Sequence, residues 1–181
     1  MLGNKTSKEM DAQIVLYTRD FGKIIAKAKS ARKMTSKLNG HLQPLNFVNA
    51  RLIEKNGFQI VDALTIDYAQ NNNSIPRLSA SGPRFSALLG VADFINEMTF
   101  EAHQDLRLWQ AIKKIFSPAG ENLSEKIIYR GLLKILGFDP EHASCAVCGN
   151  PQIDYFSKTE HIFFCKKCVG KIGDNQLLLI K

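Results

Sequence analysis

From Gln13 to about Gln70, apolar and polar residues alternate in short runs, and no helical periodicity there lasts longer than two turns. Alternation with a period of two, broken by turn residues, predicts β-strands. The expected strands are QIVLYTRD, then GKIIAKAKSAR after a turn at Asp20, Phe21 and Gly22, then LNFVNARLIEK, then FQIVDALTIDYAQ after Asn56-Gly57. Asn-Gly between apolar runs is a strong hairpin signal, because both residues tolerate positive φ. Strands this close together, with no long helix between them, predict a small closed barrel. An OB-fold is the leading candidate and a Greek-key sandwich fragment the alternative.

The polar, Gly- and Pro-containing stretch NNNSIPRLSASGP separates this region from the rest, and residues 71–80 read as a linker. Helical spacing follows. Phe85, Leu88, Leu89, Ala92 and Ile95 share one face, with Pro83 placed for a first turn. A second helix is expected from about Asp105 to Phe116, burying Leu108, Trp109, Ile112 and Ile115 and stopping before Pro118. A third is expected to start near Asn122, with Glu125 as a capping partner, and to end at Gly137 in the C′ position. The fold class is therefore α+β in several parts: an N-terminal barrel over residues 1–70, the linker, and a helical domain over 81–181 that carries a cysteine element at 145–168.

Composition narrows the class only slightly. An apolar fraction of 45% and a charged fraction of 23% are ordinary for a folded globular chain. No apolar run approaches the length of a membrane span, and MLGNKTSKEMDAQ lacks the apolar core of a signal peptide, so a cytoplasmic location without membrane association is expected. The net charge of +7 is more informative when divided along the chain. Residues 1–70 hold 11 basic against 6 acidic residues, 71–140 hold 8 against 7, and 141–181 hold 5 against 4. The positive field is an N-terminal property, and it favours a polyanion as partner.

Two constellations carry chemistry. Cys145-x-x-Cys148 and Cys165-x-x-Cys168, sixteen residues apart, have the spacing of a four-cysteine zinc ribbon. Two thiolates three residues apart can turn back onto one metal, and the intervening hairpin delivers the second pair. Four protein ligands leave no open coordination position, so one structural Zn²⁺ is expected. Two disulfides are disfavoured by a reducing compartment. His161, four residues before Cys165, reads as a hairpin residue rather than a ligand.

The second constellation is basic: Arg19, Lys23, Lys27, Lys29, Arg32, Lys33 and Lys37, with Asp20 the only acid among them. Strand alternation puts Lys23, Lys27 and Lys29 on one face and Ile24, Ala26 and Ala28 on the other. Arg32, Lys33 and Lys37 extend the charge through a loop, where OB-folds add contacts to nucleic acid. Phe21, at the adjoining turn, is either a hairpin core residue or a ring on which a base could stack. His41, His103 and His142 have no acid or nucleophile in a recognisable arrangement. With no phosphate loop, no nucleophile elbow and no paired carboxylates, the chain is expected not to be an enzyme.

LLKILGFDPEHASCAVCG, from Leu132 to Gly149, resembles the RecO family of bacterial DNA repair proteins, in which a helix ending Leu-Gly-aromatic, then Pro, leads into Cys-x-x-Cys-Gly. The likeness continues in FSKTEHIFFCKKC, IVLYTRDFG, GKIIAKAKSAR and GHLQPLNF. The resemblance implies a recombination mediator with an OB-fold, a helical domain and a zinc element. It also implies binding of single- and double-stranded DNA, strand annealing, and work with RecR, single-stranded-DNA-binding protein and, indirectly, RecA at the nucleoid. This sequence departs from the family in a shorter first hairpin, in stopping thirteen residues after Cys168 where further helix is usual, and in His161-Ile162 where small residues are expected in the cysteine hairpin. An RNA- or ribosome-binding protein and an acidic-peptide adaptor are the alternatives.

Overall fold

The computed structural model describes residues 1–6, 10–66, 82–117, 120, 122–171, 173 and 176–181, the side chains of residues 4–6 excepted. The expected linker at 71–80, the strand end at 67–70 and Pro118 lie outside these residues. The N-terminal sheet has five strands: β1 (Gly3–Thr6), β2 (Ala12–Thr18), β3 (Gly22–Ala28), β4 (Val48–Glu54) and β5 (Phe58–Thr65), in the order β1-β2-β3-β5-β4. All pairs are antiparallel except β3 with β5. β1 is not among the strands that alternation predicts, since four residues are too few to register a period. Asn56 (φ 52°) and Gly57 (φ 98°) turn β4 into β5, as the dipeptide predicts.

The sheet does not close into the expected barrel. Among the described residues, β1 and β4 share no ladder. Instead Met1 N donates to Asn46 O at 2.8 Å and Leu45 N donates to Met1 O at 3.1 Å, so the seam is bridged at the loop before β4. β1 pairs with β2 along all four of its residues, while at the chain start Met1 bonds to the loop before β4 rather than to β4 itself.

β2 is buried on both faces. Ile14 and Leu16 join Ile24, Ala26, Ala28 and Ile60 in the sheet's own core, while Val15 and Tyr17 belong to the core of the helices. That second core is built by α1 (Pro83–Met98), α2 (Leu106–Ile115) and α3 (Glu125–Ile135). Leu88, Ala92, Ile95, Leu108, Ile112 and Ile115 are buried as their spacing predicts, joined by Val91, Phe94, Leu132 and Leu133, whereas Phe85, Leu89 and Trp109 are half-buried. Asp105 caps α2 by accepting from Arg107 N and Leu108 N. The expected start of α3 shifts: Ser124, not Asn122, accepts from a backbone amide, that of Ile127, and Glu125 is the first helical residue, where its charge suits the helix dipole. The helix ends with Leu136 as its cap and Gly137 beyond, as expected. Arg84 fastens the start of α1 to the loop before α3, donating to Leu123 O and Gly120 O.

A three-stranded sheet, β7-β6-β8, completes the chain: β6 (Tyr155–Ser157), β7 (Ile162–Phe164) and β8 (Leu177–Leu179), with a one-turn helix α4 (Lys166–Val169) between the last two. Phe156 and Phe163 enter the helical core, so this small sheet is docked rather than tethered. Lys158 Nζ also reaches Glu97 Oε2 of α1 at 2.6 Å. β8 was not predicted; its three residues bury little and have no turn signal of their own, and they become a strand only by pairing with β6.

Candidate metal centre and nucleic-acid interface

Cys145 and Cys148 lie on a tight turn after α3, and Cys165 and Cys168 follow β7 at the start of α4. The hairpin β6–β7 folds one pair onto the other, and Ala146 N donates to Phe163 O at 2.9 Å across the join. All four Sγ atoms lie within 4.8 Å of one another, with Cys148 and Cys165 at 3.7 Å. A tetrahedral metal with bonds of ~2.3 Å to sulfur has sulfur–sulfur edges of roughly 3.8 Å, so this edge matches. The cysteines are free of disulfides, and Cys145, Cys165 and Cys168 are buried while Cys148 is exposed.

The electrostatics suit a cation. Burial works to raise the Cys145 thiol, but backbone N–H donors from Cys165, Cys148 and Val147 bring it down to about 6. Cys168 is pushed up to about 12 by sharing hydrogen bonds with Cys148 and Cys165 and by burial. Thiolates packed this closely suppress one another's ionisation, and a central divalent ion lets all four ionise. The residues therefore suit a tetrahedral metal that prefers sulfur, closed to water or substrate. His161 stands apart from the cluster. It occupies the β6–β7 turn at φ 56°, a left-handed position that favours glycine, with its ring stacked on Phe156 at 6.4 Å and 7°. The small residues expected in the cysteine hairpin answer that backbone requirement.

The basic residues divide. Lys27, Lys29, Arg32, Lys33 and Lys37 are exposed. Among the described residues, no carboxylate oxygen lies within 4.0 Å of any of the five. The loop that carries the last three is a chain of turns pinned by buried Ala31 and Leu42, with Ser30 N held on Asp11 Oδ1 at 2.8 Å. Lys23 lies apart: it is half-buried and its Nζ donates to Asn96 O, in the last turn of α1, at 2.7 Å. Ile25, next on the same face, packs against the helical core. The face that alternation assigns to Lys23 and Lys27 is thus covered by α1 at one end and open at the other. Arg19, at the β2–β3 turn, is exposed and 4.0 Å from Asp20.

That turn has three residues, Arg19 to Phe21, with Thr18 and Gly22 in register. Gly22 sits at φ 64°, and a Cβ there would lie 1.9 Å from His103 O, so the segment leading into α2 packs directly on the hairpin. Phe21 is exposed, its ring tilted against Phe58 at 5.8 Å. Sequence reasoning missed the cleft behind it, a cavity of about 310 Å³ lined in part by Tyr17, Phe47, Val48 and Trp109. No local signal marks it, because its walls come from β2, β4 and α2.

The family model described as "Recombination protein O N terminal" matches residues 1–68. The DNA repair protein RecO of Thermoanaerobacter sp. (strain X514) is 26% identical over 180 residues, covering 96% of this chain and 71% of the relative. That of Caldanaerobacter subterraneus subsp. tengcongensis is 25% identical over 184 residues, covering 98% and 72%, and that of Heliobacterium modesticaldum is 29% identical over 154 residues, covering 83% and 54%. The chain is similar to these RecO proteins over most of its length. At 96% and 98% of this chain, the similarity takes in both the basic residues and the cysteine cluster. No helix among the described residues is long and apolar enough to cross a membrane.

Proposed function

We propose that the chain is a non-catalytic DNA-binding protein of recombination and repair, which holds single- and double-stranded DNA, anneals complementary strands and assists recombinase loading. The observation that carries this reading is the run of five exposed cations, Lys27, Lys29, Arg32, Lys33 and Lys37, presented by one strand end and one anchored loop. Cations neutralise phosphates on two strands at once and raise their encounter probability without bond chemistry. The similarity to proteins named for DNA repair, over nearly the whole chain, supports DNA as the polyanion.

The open sheet is read as an OB-type platform, since its order β1-β2-β3-β5-β4 with a parallel β3–β5 pair suits a partly open Greek-key barrel. Zn²⁺ is the metal best suited to the four thiolates, held by Cys145, Cys148, Cys165 and Cys168 in a folding role. RecR, single-stranded-DNA-binding protein and RecA are the protein partners this reading implies, in the cytoplasm at the nucleoid. The test is strand annealing of complementary oligonucleotides by the full chain, with and without single-stranded-DNA-binding protein, and with competing RNA. Annealing that DNA competes away and RNA does not supports the proposal. Failure to accelerate annealing at any salt concentration refutes it.

A further inference from the structure

We propose that the cleft between the N-terminal sheet and α2 is a slot for one unpaired nucleobase, with Phe21 as the stacking platform at its rim. This rests on the nucleic-acid reading above. Phosphate contacts cannot separate a single strand from a duplex, because both offer phosphates. A stacking site can, because only an unpaired base offers a free face.

The cleft suits a flat ligand with apolar faces and a polar edge. Its volume of about 310 Å³ is lined by Phe47 and Trp109 among others, and Arg19, Asp20, Phe21 and Asn49 among its lining residues are exposed. Phe21 is 53% exposed, yet it is held in place. Its backbone N–H donates to Thr18 Oγ1 at 3.0 Å, Thr18 Oγ1 donates to Gly22 O at 3.1 Å, and its ring leans on Phe58. An exposed aromatic ring on a rigid turn has already lost the freedom that binding would otherwise cost. Phe58 is in register with Ala26, next to Lys27, so the basic strand passes close to the rim. The net charge of +5 over residues 1–70, 11 basic against 6 acidic, favours a nucleic acid over an acid-poor apolar peptide as the occupant.

The chain supplies its own reporter. Trp109, its only tryptophan, stands in the cleft wall edge-on to Phe47 at 6.4 Å and 81°. Titration of the full chain with a thymidine 15-mer should change Trp109 emission. An abasic 15-mer with the same phosphates should bind with the same salt dependence and leave Trp109 unchanged. Phe21→Ala should weaken the thymidine 15-mer on the order of tenfold and spare the abasic strand, and Phe21→Trp, followed by anisotropy, should restore binding. The slot is refuted if Phe21→Ala weakens both strands equally or neither, or if an acidic Asp-Phe decapeptide moves Trp109 emission and the thymidine strand does not. If the unaltered chain binds neither oligonucleotide, the nucleic-acid reading itself has failed, and the slot with it.

Discussion

Lys23 Nζ donates to Asn96 O at 2.7 Å, so a lysine that strand alternation places on a basic stripe closes the C-terminal end of a helix instead. The last carbonyls of a helix lack intrahelical donors and carry partial negative charge, which a half-buried ammonium satisfies. Lys23→Met should therefore lower stability by about 1–2 kcal/mol in urea unfolding. The salt dependence of oligonucleotide binding should stay unchanged, and a flattened slope would return Lys23 to the DNA surface.

Lys27 and Lys29 should behave in the opposite way. With about three or four phosphates neutralised, and a slope of ~0.7 per contact, single-strand affinity should fall on the order of 30-fold between 50 and 200 mM salt. Replacing both lysines with Ala should flatten that slope by roughly one or two contacts and leave unfolding unchanged. Lys113, exposed on α2, is the suitable control. Lys158 is not, because it is committed to Glu97. An unchanged slope in the double variant would mean that this surface is merely solvated.

Gly22→Ala should be far more damaging than its size suggests. The added methyl would meet His103 O at a non-bonded distance no structure tolerates, at a positive φ that alanine avoids. A loss on the order of 3 kcal/mol is expected, read as a lower thermal midpoint. A variant that melts within a degree or two of the parent would show that the 101–104 segment moves aside freely.

The purified, reduced chain should hold one Zn²⁺, measured by elemental analysis. Cys148→Ser should release it and lower the melting temperature on the order of 10 °C, because ligand energy at a closed site is folding energy. Low-salt oligonucleotide binding should survive, since the five cations lie at the end of β3 and on the loop that follows it, not on the cysteine-bearing element. Zinc near zero in a folded, reduced sample would refute the assignment.

Local rules were sufficient where one segment decides its own outcome. The Asn56-Gly57 hairpin, the apolar faces of α1 and α2 and the paired cysteine turns each follow from residues within a few positions of one another, and the structure assembles the four sulfurs as their spacing requires. What needed the tertiary structure involves partners distant in sequence. β1 and β8 are too short to announce a period and exist only through their ladders with β2 and β6. The barrel expected from strand count stays open because the seam contacts of Met1 fall on the loop before β4 and not on β4, a meeting of segments more than forty residues apart. Lys23 and Lys27 obey the same alternation, yet one lies under α1 and the other faces solvent, because covering a strand face is an act of another element. The cleft beside Phe21 has the same origin, since a cavity belongs to the packing of surfaces and no single stretch of sequence encodes it.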